Sequence, residues 1–382
     1  MANTLKFGNG EWYGKKDTIL AYNSENNNYK PLPFDFSRGS SATVINKDGL
    51  IETVGSGEPR IDYKDNSKGA LLLEPSRINL VSYSEDFSNS YWNTNSNTSR
   101  SLSSNLSPEG TANAYRVEAV SGTQVGYVGV TTIGTTITHS VYVRRVSGSN
   151  TFNMVDVNNS ATQVDITNEW KRFSVTAVAT STNLRSYLRL NQVGDVVEIF
   201  GFQAEQGSYA TSYIPTQGSV VTRLADSCSQ TPPDGVIGQT EGTVFLDFIR
   251  KPQNNPATGL FGISSSNNSD RVVVWNNFSL NGLGLQIKAN GSNISGNQSL
   301  GTFDNDENYK IAVSYKSGEI KAYVNGNSVL NLSNSFTFAS DLNTIIVNSY
   351  QVGINSELSP FKNIKLYNTA LTDQELQALT SN

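Results

Sequence analysis

The sequence predicts an all-β protein built from more than one sandwich. Three observations carry this: a polar, weakly charged composition, short alternating runs separated by turn signals, and almost no helical periodicity. Of the 382 residues, 37% are hydrophobic and 16% charged, both below the usual globular share. Asn, Ser, Thr and Gly fill the balance, residues that accept φ > 0 or close local turns. Aromatic residues make up 10% and are spread along the whole chain, which argues against disorder. The length exceeds one ordinary core and implies two or three domains.

In chain order, residues 1 to about 70 read as an extended, largely irregular attachment segment. Phe7, Trp12, Tyr13, Tyr22, Tyr29, Phe34 and Phe36 lie among Asn, Gly and Pro without a period. Ordering such a segment costs about 1–2 kcal/mol per residue of backbone, so a partner chain is the expected source of its burial. Ala70-Leu71-Leu72-Leu73-Glu74-Pro75 opens a second unit, expected over 71–228, with strand-like runs at His139–Val146, Trp170–Thr176 and Val196–Phe202. Thr231-Pro232-Pro233-Asp234-Gly235 reads as a stiff linker. A third unit, 239–382, carries runs at Thr243–Ile249, Arg271–Trp275 and Leu283–Lys288. Ile311, Val313 and Tyr315 then alternate with smaller or polar neighbours, and Asn325-Gly326 is a strong hairpin signal because both positions accept φ > 0. The one predicted helix is C-terminal. Thr372 and Glu375 have capping-box spacing, and Leu371 and Leu376 are placed to form a staple.

The same residues exclude several function classes. Net charge is −5 with no basic cluster, so nothing offers the concentrated positive charge that nucleic acid needs. One cysteine, Cys228, rules out an internal disulfide framework and a thiolate metal site. No apolar run approaches the roughly 20 residues that span a bilayer, and the start lacks the apolar core of a secretory signal. The expectation is synthesis in a cytoplasm without ordinary export. His139 is the sole histidine, and HExxH and GxSxG are absent, so no catalytic residue and no cofactor is assigned. Asp247, Asp304, Asp306 and Glu307 remain as carboxylates for a glycosidase-like pair. Asp304 and Asp306 are also the oxygen-rich candidates for a cation, but the loop lacks EF-hand spacing and reads first as a solvated turn. Trp275, Trp92, Tyr127 and Tyr187 are candidate platforms for stacking on a sugar; for each, burial between sheets is the stronger expectation.

Three long stretches carry a resemblance. The first runs from Phe36-Ser37-Arg38-Gly39-Ser40-Ser41-Ala42-Thr43 through Asp48-Gly49-Leu50-Ile51-Glu52 to Glu58-Pro59-Arg60-Ile61-Asp62-Tyr63. The second is Leu71-Leu72-Leu73-Glu74-Pro75-Ser76-Arg77-Ile78-Asn79-Leu80 with Tyr83-Ser84-Glu85-Asp86-Phe87 and Trp92. The third is Phe200-Gly201-Phe202-Gln203-Ala204-Glu205-Gln206-Gly207 with Ala210-Thr211-Ser212-Tyr213-Ile214-Pro215-Thr216 and Val221-Thr222-Arg223. Together they resemble segments of bacteriophage virion proteins of the head-spike, head-fibre or tail-fibre kind. Ile78 departs from the Thr usual there and is expected to alter local packing. The resemblance implies a jelly-roll, carbohydrate-binding-like module over 71–228. Residues 239–382 resemble a concanavalin A-like (laminin G-like) sandwich.

The resemblance implies a structural protein of the virion surface, with no enzymatic role. It implies docking on capsid or tail proteins through the N-terminal segment, and assembly as a homodimer or homotrimer. It also implies adhesion to host-surface or mucosal glycans. Weak sites suffice for adhesion: a millimolar contact is worth about −4 kcal/mol, and repetition raises avidity about 10²- to 10⁴-fold.

Overall fold

The computed structural model describes residues 4–25, 28–94, 98–121, 124–253, 257–277, 282–349 and 358–381. Their architecture is all-β with one short helix, organised as a jelly-roll-like module and a concanavalin A-like sandwich. No described helix is long and apolar enough to cross a membrane.

The jelly-roll-like module faces two five-stranded sheets. One orders Asn93–Thr94, Gln124–Val130, Asn183–Leu190, Thr151–Val155 and Ala161–Asp165. The other orders Thr98–Leu102, Tyr115–Ala119, Val196–Gln206, Thr136–Ser147 and Lys171–Val178. Period two decides the faces. In Thr136–Ser147, Val141 and Val143 join Phe152, Leu188 and Phe202 in the core between the sheets, while Thr138, Ser140 and Tyr142 form the opposite face. The predicted runs at 139–146, 170–176 and 196–202 all fall on strands of this second sheet.

The sandwich wraps around on itself through continuous pairing. Asn327–Leu332, Glu319–Val324, Asn308–Lys316, Glu241–Ile249, Ser359–Tyr367 and Leu5–Gly8 form one layer. Asn28–Ser37, Ser227–Gln230, Thr344–Val347, Ala257–Ser264, Arg271–Asn277, Gly282–Ala289 and Gln298–Thr302 form the other. The hairpin Thr18–Glu25 to Asn28–Ser37 bridges the layers, because Lys6 pairs with Tyr22 on one side and Phe36 with Cys228 on the other. Asn325 and Gly326 adopt φ of 47° and 81°, the turn expected between Glu319–Val324 and Asn327–Leu332.

This corrects the expected domain plan. The N-terminal segment is not an extended irregular leader. Leu5, Phe7, Ile19, Phe34 and Phe36 are buried in the same core as Leu246, Ile311 and Leu366. Its missing burial comes from this chain's own C-terminal half, so the case for a homodimer or homotrimer rests on the resemblance alone. Ala70–Leu73 pairs with residues 359–361, so it too belongs to the sandwich. The Pro232-Pro233 stretch is not a boundary either: it lies between two sandwich strands, and Val236 and Ile237 are in the sandwich core. The jelly roll is therefore an insertion, leaving the sandwich at Glu74 and returning at Asp226.

The helix Asp373–Thr380 has the expected capping box, with Thr372 N–H donating to Glu375 Oε2 at 2.8 Å and Glu375 N–H to Thr372 Oγ1 at 3.4 Å. Leu371 and Leu376 pack with Phe245, Ala312 and Tyr323 on the outside of the first layer.

Candidate functional site

The insertion point is a neck of buried charge. The chain leaves and returns side by side, with Asp226 N–H donating to the Glu74 carbonyl at 3.0 Å and Glu74 N–H to Asp226 Oδ2 at 2.8 Å. Arg60 grips both carboxylates, Glu74 at 2.5 Å and Asp226 at 2.5 Å. Arg223 holds Glu74 at 2.8 Å and Arg38 holds Asp226 at 3.1 Å. Ser212 donates to Glu74 at 2.6 Å and accepts from Arg60 and Arg223. All three arginines are buried to 2% exposure or less. Burial alone would raise the Glu74 carboxyl, but Arg223, Arg60 and the Ser212 donors outweigh it and hold it at about 2. Such charges are stable inside only when fully paired and hydrogen-bonded.

Every member of the neck except Asp226 comes from the three virion-like stretches. The same stretches knit further out: Thr43 Oγ1 donates to the Tyr213 carbonyl at 2.5 Å, and Thr216 N–H to Ser84 Oγ at 2.8 Å. Ile78 pairs with Thr222 and is 42% exposed, so the departure from Thr falls on the surface instead of altering the packing.

Beside the neck, between jelly roll and sandwich, lies a cleft of about 700 Å³. One wall is the outer face of the jelly roll, with Tyr142, Ser174 and Thr176; the other is the sandwich, with Lys251, Asp306 and Lys362; Asp62 and Lys64 line the cleft between them. Arg172 is spent on structure. It donates to the Thr211 carbonyl at 2.5 Å and to Ser140 Oγ at 2.8 Å, and stacks over Tyr142. Lys251 is likewise paired, with Asp306 at 2.9 Å and Asp65 at 3.7 Å. Asp62 accepts from Ile45 N–H at 3.1 Å. Burial pushes its carboxyl up to about 6, with Ile45 and Lys64 opposing. A carboxyl that is partly protonated near neutrality both donates and accepts, and with Lys64 and Lys362 it suits a hydroxyl-rich ligand. Clefts at module junctions are where such ligands usually bind.

The aromatic platforms expected from sequence are taken up by packing. Trp92 is 3% exposed and stacks on Phe87, and Tyr187 is 7% exposed. Tyr127 is half-buried and stacks on Tyr91 at 5.2 Å. Trp275 is half-buried over Gly284, where a Cβ would stand 2.5 Å from the indole. None of the four lines the cleft. Asp304 is exposed, Asp306 is paired with Lys251, and no cluster of three metal-ligating carboxylate, imidazole or thiolate groups occurs among the described residues. His139 faces the jelly-roll interior and Cys228 the sandwich core, so neither reaches the cleft. Asp62, the group the cleft singles out, carried no local signal beyond its place in the first virion-like stretch.

No family model and no curated protein matches this chain. Among solved structures, the CBM40 of the Ruminococcus gnavus IT-sialidase is similar at 14% identity and a TM-score of 0.32, covering 38% of this chain and 84% of that one. Domain 4 of AbnA, a GH43 extracellular arabinanase from Geobacillus stearothermophilus solved with arabinotriose, is similar at 15% identity and a TM-score of 0.31, covering 46% and 82%. The Caenorhabditis elegans galectin LEC-6 gives 13% identity and a TM-score of 0.25, covering 36% and 94%. At TM-scores this low the likenesses assign no role.

Proposed function

We propose that this chain is a non-enzymatic structural protein of a phage particle, a head fibre or spike that decorates the capsid and holds glycans weakly in the cleft between its modules. The observation that supports it is where the virion-like stretches go. Four of their charged residues, Arg38, Arg60, Glu74 and Arg223, form the neck that locks an inserted jelly roll to its sandwich, which is what a rigid displayed body requires. That part of their charge is architectural, while Asp62 of the first stretch lines the cleft beside it.

The test is imaging of intact particles with and without the gene for this chain. Loss of density from the head is the expected result. Loss from the tail tip would make it a tail fibre that binds the host receptor, and unchanged particles would overturn the virion reading. Truncation after Thr231 is no substitute, because it removes Ser359–Tyr367, the strand that pairs with Leu5–Gly8 and Ala70–Leu73.

One observation favours a second reading, a polysaccharide depolymerase. Asp62, its carboxyl pushed up to about 6 by burial, shares the cleft with Asp306 and Glu307, the raised acid and neighbouring carboxylates that glycoside hydrolysis uses. That reading requires reducing ends to be released from host polysaccharide, and release to disappear in Asp62→Asn. No release from any of several host polysaccharides at high protein concentration would exclude it.

A further inference from the structure

The N-terminal turn carries an aromatic corner at the edge of a surface cleft. Gly8 has φ of +96°, and a side chain there would strike the Lys362 carbonyl at 2.4 Å and the Trp12 ring at 2.9 Å. Glycine therefore lets residues 8–12 fold back against the sandwich. Trp12 turns inward, edge-on to Phe7 at 6.1 Å, with its indole N–H donating to the Gly69 carbonyl at 3.2 Å. The next residue, Tyr13, turns outward and is 52% exposed. Its backbone pairs with Leu20, and the adjoining turn is braced by Asp17 N–H on the Gly57 carbonyl at 2.8 Å. Tyr13 meets Tyr22 at 5.6 Å between ring centroids with the planes 75° apart. The two rings line a surface cleft of about 320 Å³ together with Lys6, Gly8 and Glu11. Lys6 and Glu11 are ion-paired at 3.0 Å. Burial first, then Tyr13 and Glu11, raises the Tyr22 phenol, as expected where these groups crowd together.

We infer that this corner is a second sugar-binding subsite, for an uncharged pyranose. A pyranose has an apolar face of axial C–H groups that packs on an aromatic face, and two rings near a right angle hold both its face and its edge. The Lys6–Glu11 pair supplies a donor and an acceptor to neighbouring hydroxyls while its charges cancel, which favours a neutral sugar over a sialylated or sulfated one. The cleft fits one ring. Because strand pairing and Trp12 already fix the turn, little ordering entropy is lost on binding. The subsite rests on the adhesive reading above but uses a different surface of the molecule. It also absorbs Tyr13 and Tyr22, aromatics of the N-terminal segment that the sandwich core leaves outside.

The test is ¹⁹F NMR of the full chain labelled with 3-fluorotyrosine, titrated with the methyl pyranosides of glucose, galactose, mannose and N-acetylglucosamine. Tyr13→Phe and Tyr22→Phe assign the corner signals; Tyr142→Phe and Tyr209→Phe assign two signals of the inter-module cleft. At least one sugar is expected to shift the Tyr13 and Tyr22 signals saturably. Tyr13→Ala, at an exposed position, should weaken the shift at Tyr22 about tenfold, the cost of losing one aromatic contact. Tyr13→Trp, which keeps a ring, should retain it. Movement of Tyr142 or Tyr209 with Tyr13 still would overturn the corner and leave adhesion to the larger cleft. No movement of any tyrosine with all four sugars would overturn the corner and remove neutral monosaccharides as cleft ligands, leaving the particle imaging to decide the virion role.

Discussion

His139 shows how strongly surroundings override residue type. It lies on an inward-facing position of Thr136–Ser147, 1% exposed, and neither ring nitrogen has a hydrogen-bond partner among the described residues. Burial pushes its pKa down to about 3. An unfolded histidine titrates near 6.5, so between these values the unfolded chain takes up a proton that the folded chain refuses. Stability therefore falls as pH drops from about 6.5 towards 3, by up to about 1.4 kcal/mol per pH unit from this group. His139→Leu should shrink the gap between the melting temperatures at pH 7.5 and pH 4.5, and an unchanged gap would show that the ring is hydrated or paired. Glu74 shifts in the same direction for the opposite reason, because its arginine partners favour the charged form that burial denies to His139. Its depressed pKa adds stability that is complete above its ordinary value near 4.5 and is lost as pH falls towards 2.

Elements are held by two kinds of device here, one local and one distant. The C-terminal helix depends on its cap, so Thr372→Ala should cost about 1 kcal/mol, read from denaturant midpoints. The neck is the distant kind. Arg60→Met removes the guanidinium that Glu74 and Asp226 share, leaving each carboxylate with one arginine, and should cost about 3–5 kcal/mol. A change under about 1 kcal/mol would mean that water enters the neck and screens its charges. The cap was legible because Thr372 and Glu375 are three residues apart. The neck was not, since Arg60 and Asp226 are separated by 166 residues and no local period links them. What could be read was only that Arg38, Arg60, Glu74 and Arg223 sit inside stretches resembling virion proteins.

At the scale of the molecule, the insertion changes what counts as a domain. Residues 239–382 alone lack Leu5–Gly8, Asn28–Ser37, Ala70–Leu73 and Ser227–Gln230, all paired within the sandwich. Expressed by themselves, they should fail to give dispersed backbone amide NMR signals. A chain with 75–225 replaced by a short Gly-Ser turn should give them, even though it loses Ser212 and Arg223 from the neck. A well-dispersed spectrum from 239–382 would show that the N-terminal strands are accessory to the core. The aromatic N-terminal segment was misread for a related reason. Its Phe7, Phe34 and Phe36 have no period because they sit on strands interrupted by turns and prolines, and Phe7 pairs with Ile364 and Phe36 with Cys228, far away in sequence.

The sequence by itself determined the β class, the meander from Tyr309 to Leu332, the Asn325-Gly326 turn and the capped helix. Each of these depends on side-chain alternation, turn chemistry or capping within a few residues, and those are written locally. Only the tertiary structure decided that the N-terminal strands complete the C-terminal sandwich, that the jelly roll is inserted at Glu74 and Asp226, and that Asp62 and Tyr13 face clefts while Trp92 faces a core and Tyr187 is covered over Gly126. Strand pairing and charge burial join residues across the whole chain, and alternation gives two faces without saying which one another layer will cover.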